Sequence, residues 1–129
     1  MIVDSSAIVA LALGESEEAA ILAALAEAPV VRISAGSWIE LAATAVRGKL
    51  FAPEWLDRIQ EAYGLTIEPV TVEQAEIGRE AYREYGLGSG HRARLNFGDC
   101  FAYALAKAIG EPLLFKGDDF PHTDIISAI

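Results

Sequence analysis

In Met1-Ile2-Val3-Asp4-Ser5-Ser6-Ala7-Ile8-Val9-Ala10-Leu11-Ala12-Leu13, a short apolar run ends in an acid, two hydroxyl residues follow, and an apolar segment then continues to Gly14. Met1 to Asp4 suits a buried strand, and Ser5 or Ser6 can cap a helix from Ala7 to Leu13. The chain therefore passes from strand to helix within a few residues, and the alternation recurs downstream. Ser16, with Glu17 and Glu18, opens a second helix to about Ala28, its early acids facing the positive end of the macrodipole. Val30 to Ile33 is the second strand. Gly36 or Ser37 begins a third helix, Trp38 to Arg47, closed by Gly48. Pro53 starts a helix from Glu54 to Tyr63, closed by Gly64, and Leu65 to Pro69 reads as the third strand. Thr71 and Gln74 form a capping box for a helix reaching Tyr85. Gly86 to Leu95 reads as flexible loop. Asn96 or Gly98 leads into a helix from Asp99 to Ile109, Pro112 to Phe115 is the fourth strand, and Asp124 to Ile129 is a short edge strand or a helical turn. Short apolar strands alternating with helices predict an α/β fold, a three-layer α/β/α sandwich around a mostly parallel sheet.

The chain has 129 residues, which suits one domain over residues 1–129 with one core. Its residues are 53% hydrophobic, too apolar for a disordered chain. Nineteen acids against ten bases give a net charge of −9, which opposes generic phosphate binding through Lys and Arg. An enzyme that meets phosphate through a bound cation is not excluded by that charge. The single cysteine, Cys100, forms no intramolecular disulfide and reads as a core residue. The opening Met-Ile-Val-Asp has an acid where a secretory signal has Lys or Arg, and Ala7 to Leu13 is too short to span a bilayer. A cytoplasmic protein without a membrane segment is expected.

Most carboxylates fall on polar helix faces or at helix starts, where solvent explains them. Asp4, Glu40, Asp99 and the pair Asp118-Asp119 are different. Asp4 ends the first strand, Glu40 interrupts the apolar run Trp38 to Ala43, Asp99 opens an apolar helix, and Asp118-Asp119 follow the fourth strand. In open α/β sheets, sites gather beyond the carboxyl ends of the strands, where these acids fall. Alone, Asp4 reads at least as well as a loop acid near the following helix start, Asp99 as a first-turn partner of the helix dipole, Asp118 or Asp119 as a turn residue, and Glu40 as an exposed helix position or the partner of a neighbouring Arg. Together, acids beside apolar neighbours with few bases to meet them imply a cation. A donor set of Asp and Glu without His or Cys suits Mg²⁺, with Mn²⁺ as the alternative, and the chemistry that follows is phosphoryl hydrolysis.

Met-Ile-Val-Asp4-Ser5-Ser6-Ala7, Glu40 in the helix after strand two, Asn96-Phe97-Gly98-Asp99-Cys100, and Leu113-Leu114-Phe115-Lys116-Gly117-Asp118-Asp119-Phe120 occur in order across nearly the whole chain. In these motifs the sequence resembles PIN-domain proteins, and most of all the VapC toxins of type II toxin-antitoxin systems. The resemblance implies a Mg²⁺- or Mn²⁺-dependent endoribonuclease that leaves a 3′-hydroxyl and a 5′-phosphate. It implies Asp4 and Asp99 as the main metal ligands and Glu40 as a third acid, binding directly or through water. Asp119, which precedes Phe120, is the favoured fourth acid, with Asp118 as the alternative. A VapB-like antitoxin, a homodimer and a toxin-antitoxin hetero-oligomer are the implied partners beside the RNA substrate.

Around this set, Ser6 and Ser37 read as caps or as hydrogen-bond donors to the acids or the substrate. Arg92 and Arg94, with His91 before them, read as a phosphate-guiding strip or a solvated loop. Lys116 is placed to contact phosphate or to pair with an acid. His91 and His122 read as surface residues. Leu50, Phe51, Trp38, Trp55 and Tyr63 in the third and fourth helices are core, or line a groove for a partner's amphipathic helix. Three rivals compete with the nuclease reading. A receiver-type signalling domain needs paired acids after strand one and an acceptor Asp after strand three, whereas Asp4 stands alone and Asp57 reads as exposed. A HAD-type phosphatase needs an acid where Ser6 stands. A catalytically inert PIN-like binding module does not need all of the acids kept here.

Overall fold

The computed structural model describes residues 1–48 and 50–129, Pro53 by its backbone only. Its strands are β1 (Ile2–Val3), β2 (Arg32–Ser34), β3 (Thr66–Glu68) and β4 (Leu113–Leu114), and its helices are α1 (Ser5–Leu13), α2 (Glu18–Glu27), α3 (Ala35–Gly48), α4 (Pro53–Tyr63), α5 (Val72–Tyr85) and α6 (Asp99–Ile109). A 3₁₀ turn, Phe120–His122, follows β4. The strands form one sheet in the order β3-β2-β1-β4, and every pairing is parallel. The chain moves outward from β1 to β2 and β3 and returns on the other side of β1 as β4. Between β1 and β4 the direction of winding reverses, and in sheets of this kind that point carries the site.

Strand side chains alternate between the faces. Val3 and Leu114 join a core with α1, α2, α3 and α4, while Ile2 and Leu113 join a second core with α5 and α6. These two cores lie between the sheet and the helices on either side of it, which makes a three-layer α/β/α sandwich. α3 and α6 meet closely at the top of the sheet: a Cβ added at Gly36 would lie 2.4 Å from the Phe101 ring. That contact brings the start of α3 beside the start of α6, and with them Glu40 and Asp99.

Several caps and boundaries differ from the sequence reading. Asp4 itself, not Ser5 or Ser6, is the N-cap of α1, because its carboxylate accepts from the Ser6 backbone N–H at 2.9 Å. β2 begins two residues later than its apolar run suggests, since the ladder with β1 pairs Ile2 with Arg32. α3 begins at Ala35, with the Ser34 hydroxyl accepting from Gly36 N–H at 3.2 Å, so neither Gly36 nor Ser37 is its cap. Ser16 does not cap α2; its hydroxyl donates to Glu17 at 2.8 Å. Only half of the expected capping box on α5 forms: Thr71 accepts from Gln74 N–H, while Gln74 Oε1 is buried without a partner. Pro53 is the first residue of α4, as expected. The segment Gly86 to Leu95 is an anchored connection, not a flexible loop. Ala93 and Leu95 are fully buried, and Leu95 exchanges backbone hydrogen bonds with Tyr85 and Leu87. At the C-terminal end, Leu113 bridges in parallel to Ser127, the smallest form of the expected edge strand.

Candidate active site

Each acid reaches the β1–β4 edge by a local rule of folding. Asp4 follows β1, whose place is fixed by the bond from Asp4 N–H to the Leu114 carbonyl at 2.9 Å. It is almost fully buried. Its Oδ2 accepts from Ser6 N–H at 2.9 Å and from the Ser6 hydroxyl at 2.6 Å, while Oδ1 is buried with no partner. The Ser6 hydroxyl in turn accepts from Lys116 N–H at 3.0 Å. A chain of hydrogen bonds thus ties the end of β4 through Ser6 to Asp4.

Asp99 is oriented by a reciprocal pair with Asn96. Asn96 N–H donates to Asp99 Oδ2 at 2.6 Å, and Asp99 N–H donates to Asn96 Oδ1 at 3.1 Å, the i, i+3 geometry of a capping box. Glu40, from the second turn of α3, accepts from the Ser5 hydroxyl at 3.2 Å and lies against the bare backbone of Gly98. Asp119 stands exposed just before the 3₁₀ turn.

The acids feel one another. Burial pushes the Asp99 carboxyl up to about 7, opposed by the Asn96 N–H and reinforced by the charges of Asp4, Asp119 and Glu40. Burial also raises Asp4, against the bonds from Ser6 and Ser5, and Asp119 adds to the rise. Glu40 is raised by burial and then by Asp4. Of the two candidates for a fourth acid, Asp119 is the one whose charge reaches both Asp4 and Asp99.

All the donors offered to a cation are oxygens. Asp4 Oδ1 is a buried acceptor without a partner, and carboxylates held above their ordinary range by one another are relieved when a positive charge enters. The residues therefore fit a hard divalent ion. Among the described residues, no three His, Cys, Asp or Glu side chains already stand at metal-holding distances.

The residues expected to meet the substrate fare differently. The Ser6 hydroxyl is committed to Asp4 and Lys116. Lys116 points its ammonium to Glu15, and to Glu17 at 3.4 Å, so it pairs with acids of the α1–α2 corner and not with those of the site. Ser37 is buried with its hydroxyl unpartnered, which removes it from contact with substrate. Arg92 and Arg94 are exposed, Arg94 in the left-handed region at φ 55° between buried Ala93 and Leu95. The His91 ring accepts from Ala93 N–H at 3.2 Å and packs edge-on to Tyr85, a role within the loop. Cys100 is core, its thiol pushed up to about 11 by burial. The aromatic residues of α3 and α4 pack onto the first core. One cleft of about 380 Å³ opens between α5 and α6 and another of about 330 Å³ opens beside Glu40 and Gly98, and both are lined by Phe97 and Phe101. The sequence alone gives no role to Asn96, Phe97 or Gly98, although all three stand inside one quoted motif.

Four parallel strands in this order, one acid after β1 and an exposed Asp57 on α4 do not build a receiver domain. The family model of the PIN domain matches residues 1–126. The chain belongs to the PIN-domain family. Within it, Ribonuclease VapC42 of Mycobacterium tuberculosis (strain H37Rv) is 51% identical over 128 residues, covering 97% of this chain and 96% of that protein. The crystal structure of Mycobacterium tuberculosis VapC20, described as a sarcin-ricin loop cleaving toxin, superposes with a TM-score of 0.68 at 20% identity, covering 97% of this chain and 95% of that one. A toxin-antitoxin complex from Klebsiella pneumoniae gives 0.69 at 19% identity, covering 99% and 97%. These two structures share the PIN fold, and the close relatives are VapC ribonucleases. Among the described residues of this PIN domain, no helix is long and apolar enough to cross a membrane.

Proposed function

We propose that this PIN-domain protein is the toxin of a type II toxin-antitoxin pair, a cytoplasmic endoribonuclease dependent on Mg²⁺ or Mn²⁺. The observation that carries the reading is the group of acids Asp4, Glu40, Asp99 and Asp119, three of them held above their ordinary range by burial and by one another at the switch point of the sheet. Asp4 and Asp99 would hold the ion, with Glu40 and Asp119 completing the donor set. Bound there, a divalent ion supplies charge neutralisation at the scissile phosphate and lowers the pKa of water. The chain's own part is orientation. Ser6 and Asn96 each fix one oxygen of Asp4 and Asp99, which would leave the other available to the ion, and Ser5 holds Glu40. A carboxylate not spent on the ion accepts a proton from the attacking water.

With nineteen acids against ten bases, RNA binding relies on the ion and on Arg92 and Arg94. The same deficit of positive charge suits a VapB-like antitoxin that brings a basic residue to the acids. Exposed Ile39 (69%), Val46 (69%) and Phe97 (75%) supply an apolar face suited to a homodimer. Purified protein is expected to cut RNA with Mg²⁺ or Mn²⁺, leaving 5′-phosphate ends, and to stop on addition of EDTA. Asp4→Asn and Asp99→Asn are expected to remove cleavage while keeping the circular dichroism of the wild type. Unchanged activity in either variant refutes the assignment.

A further inference from the structure

Gly98 has φ −63° and ψ −42°, a conformation open to any L residue. Glycine is not needed there for the backbone, and alanine in the same conformation reduces the freedom of the unfolded chain and favours folding. Space explains the glycine. A Cβ at Gly98 would stand 2.0 Å from Glu40 Oε1 and 2.4 Å from both Cδ and Oε2, and these three carboxylate atoms are its nearest neighbours. The other glycines differ. Gly36 faces the Phe101 ring, Gly78 meets the Cys100 carbonyl at 3.4 Å, and Gly86 lies against Tyr82. Gly98 is the one glycine whose side-chain space is filled by an acid of the candidate site.

We propose that Gly98 is a positioning residue: the side chain it lacks is the seat of the Glu40 carboxylate, which it clamps together with Ser5 beside Asp99. The inference rests on the nuclease reading above and adds to it how the third acid is held. Ser5 donates to Glu40 Oε2 at 3.2 Å from the start of α1, and Gly98 supports the carboxylate from the start of α6. Helices that begin at two different strands or loops thus fix an acid carried by a third. A methyl group at position 98 meets the far end of a flexible side chain, so the fold yields by turning Glu40 out of its seat. Stability survives, and the acid is lost from the site.

The test is a double-mutant cycle of Gly98→Ala, Glu40→Ala and the pair, read by Mn²⁺ affinity in electron paramagnetic resonance, by kcat/KM for RNA cleavage and by the thermal midpoint. Gly98→Ala is expected to keep or raise the midpoint while Mn²⁺ affinity and kcat/KM fall on the order of 10- to 100-fold, the cost of a misplaced site group. In the Glu40→Ala background the same change should cost less than about twofold. Wild-type binding and cleavage by Gly98→Ala, a loss that persists undiminished without Glu40, or a lowered midpoint each overturn the clamp. Cleavage by the wild type and its loss in Asp99→Asn judge the nuclease reading separately, and the Mn²⁺ cycle decides the clamp even if no RNA is cut. Failure of the wild type to bind Mn²⁺ refutes both.

Discussion

Asp99 is the most informative single residue, because its environment makes its charge depend on pH near neutrality. Burial, with the charges of Asp4, Asp119 and Glu40, lifts it from 3.8 to about 7. A proton and a divalent ion then compete for one carboxylate. Mn²⁺ affinity is expected to climb about tenfold per pH unit below 7 and to level off above it, as followed by titration calorimetry from pH 5.5 to 8.5. The metal-free protein should respond in the opposite sense. Between pH 4 and 7 the folded state keeps a proton that the unfolded state has released, so Asp99 stabilises relatively at low pH and works against folding as pH rises. At pH 8 the penalty reaches up to about 4 kcal/mol, and urea unfolding of Asp99→Asn without metal should lose that part of the pH dependence. Of this residue, the sequence made visible an acid opening an apolar helix. Its pairing with Asn96 and the three charges that face it depend on distant elements meeting, which spacing along a chain does not report.

At the scale of elements, β1, β4 and α1 are joined through one hydroxyl. Ser6 accepts from Lys116 N–H and donates to Asp4, so Ser6→Ala leaves a backbone donor and a carboxylate oxygen each short of a partner. A loss of about 1–3 kcal/mol in urea unfolding is expected, together with weaker Mn²⁺ binding. Gly36→Ala should behave unlike Gly98→Ala. Its methyl meets an aromatic ring packed between α3 and α6, and overpacking there should cost about 1–3 kcal/mol with the thermal midpoint lowered. The order of strands and helices was readable from alternating apolar runs and glycine stops. Boundaries were less so, because hydrophobicity reports burial while a strand is defined by pairing. Val31 is buried, yet the ladder with β1 begins at Arg32. In the sequence Asp4 reads as a site acid and its neighbours as caps, whereas in the fold one carboxylate performs both tasks, since the strand ends where the helix must be capped. Gly98 stood in a motif without a visible purpose, because a glycine in helical conformation is explained only by what fills its empty side.

For the whole molecule, the charge of −9 acts through its distribution. Much of the basic complement is already paired: Arg79 and Arg83 with acids along α5, Arg32 with Glu68 and Glu111, Lys107 with Asp124, and Lys116 with Glu15 and Glu17. Among the described residues the acids at the β1–β4 edge form no ion pair, although the charge of Arg47 reaches Glu40, so the fold carries a concentrated repulsion that a divalent ion relieves more effectively than general screening does. Thermal unfolding in Mg²⁺ or Mn²⁺ at about a hundred times its Kd should gain roughly 2.7 kcal/mol, seen as a rise of several degrees in Tm. NaCl of equal ionic strength should give a much smaller rise. Asp99→Asn should start above the wild type without metal at pH 8, because one buried charge is gone, and should then gain little from the divalent ion. The curves of wild type and variant should therefore cross as the ion is added. A specific site for the ion predicts that crossing, whereas a diffuse acidic surface predicts parallel curves for both proteins.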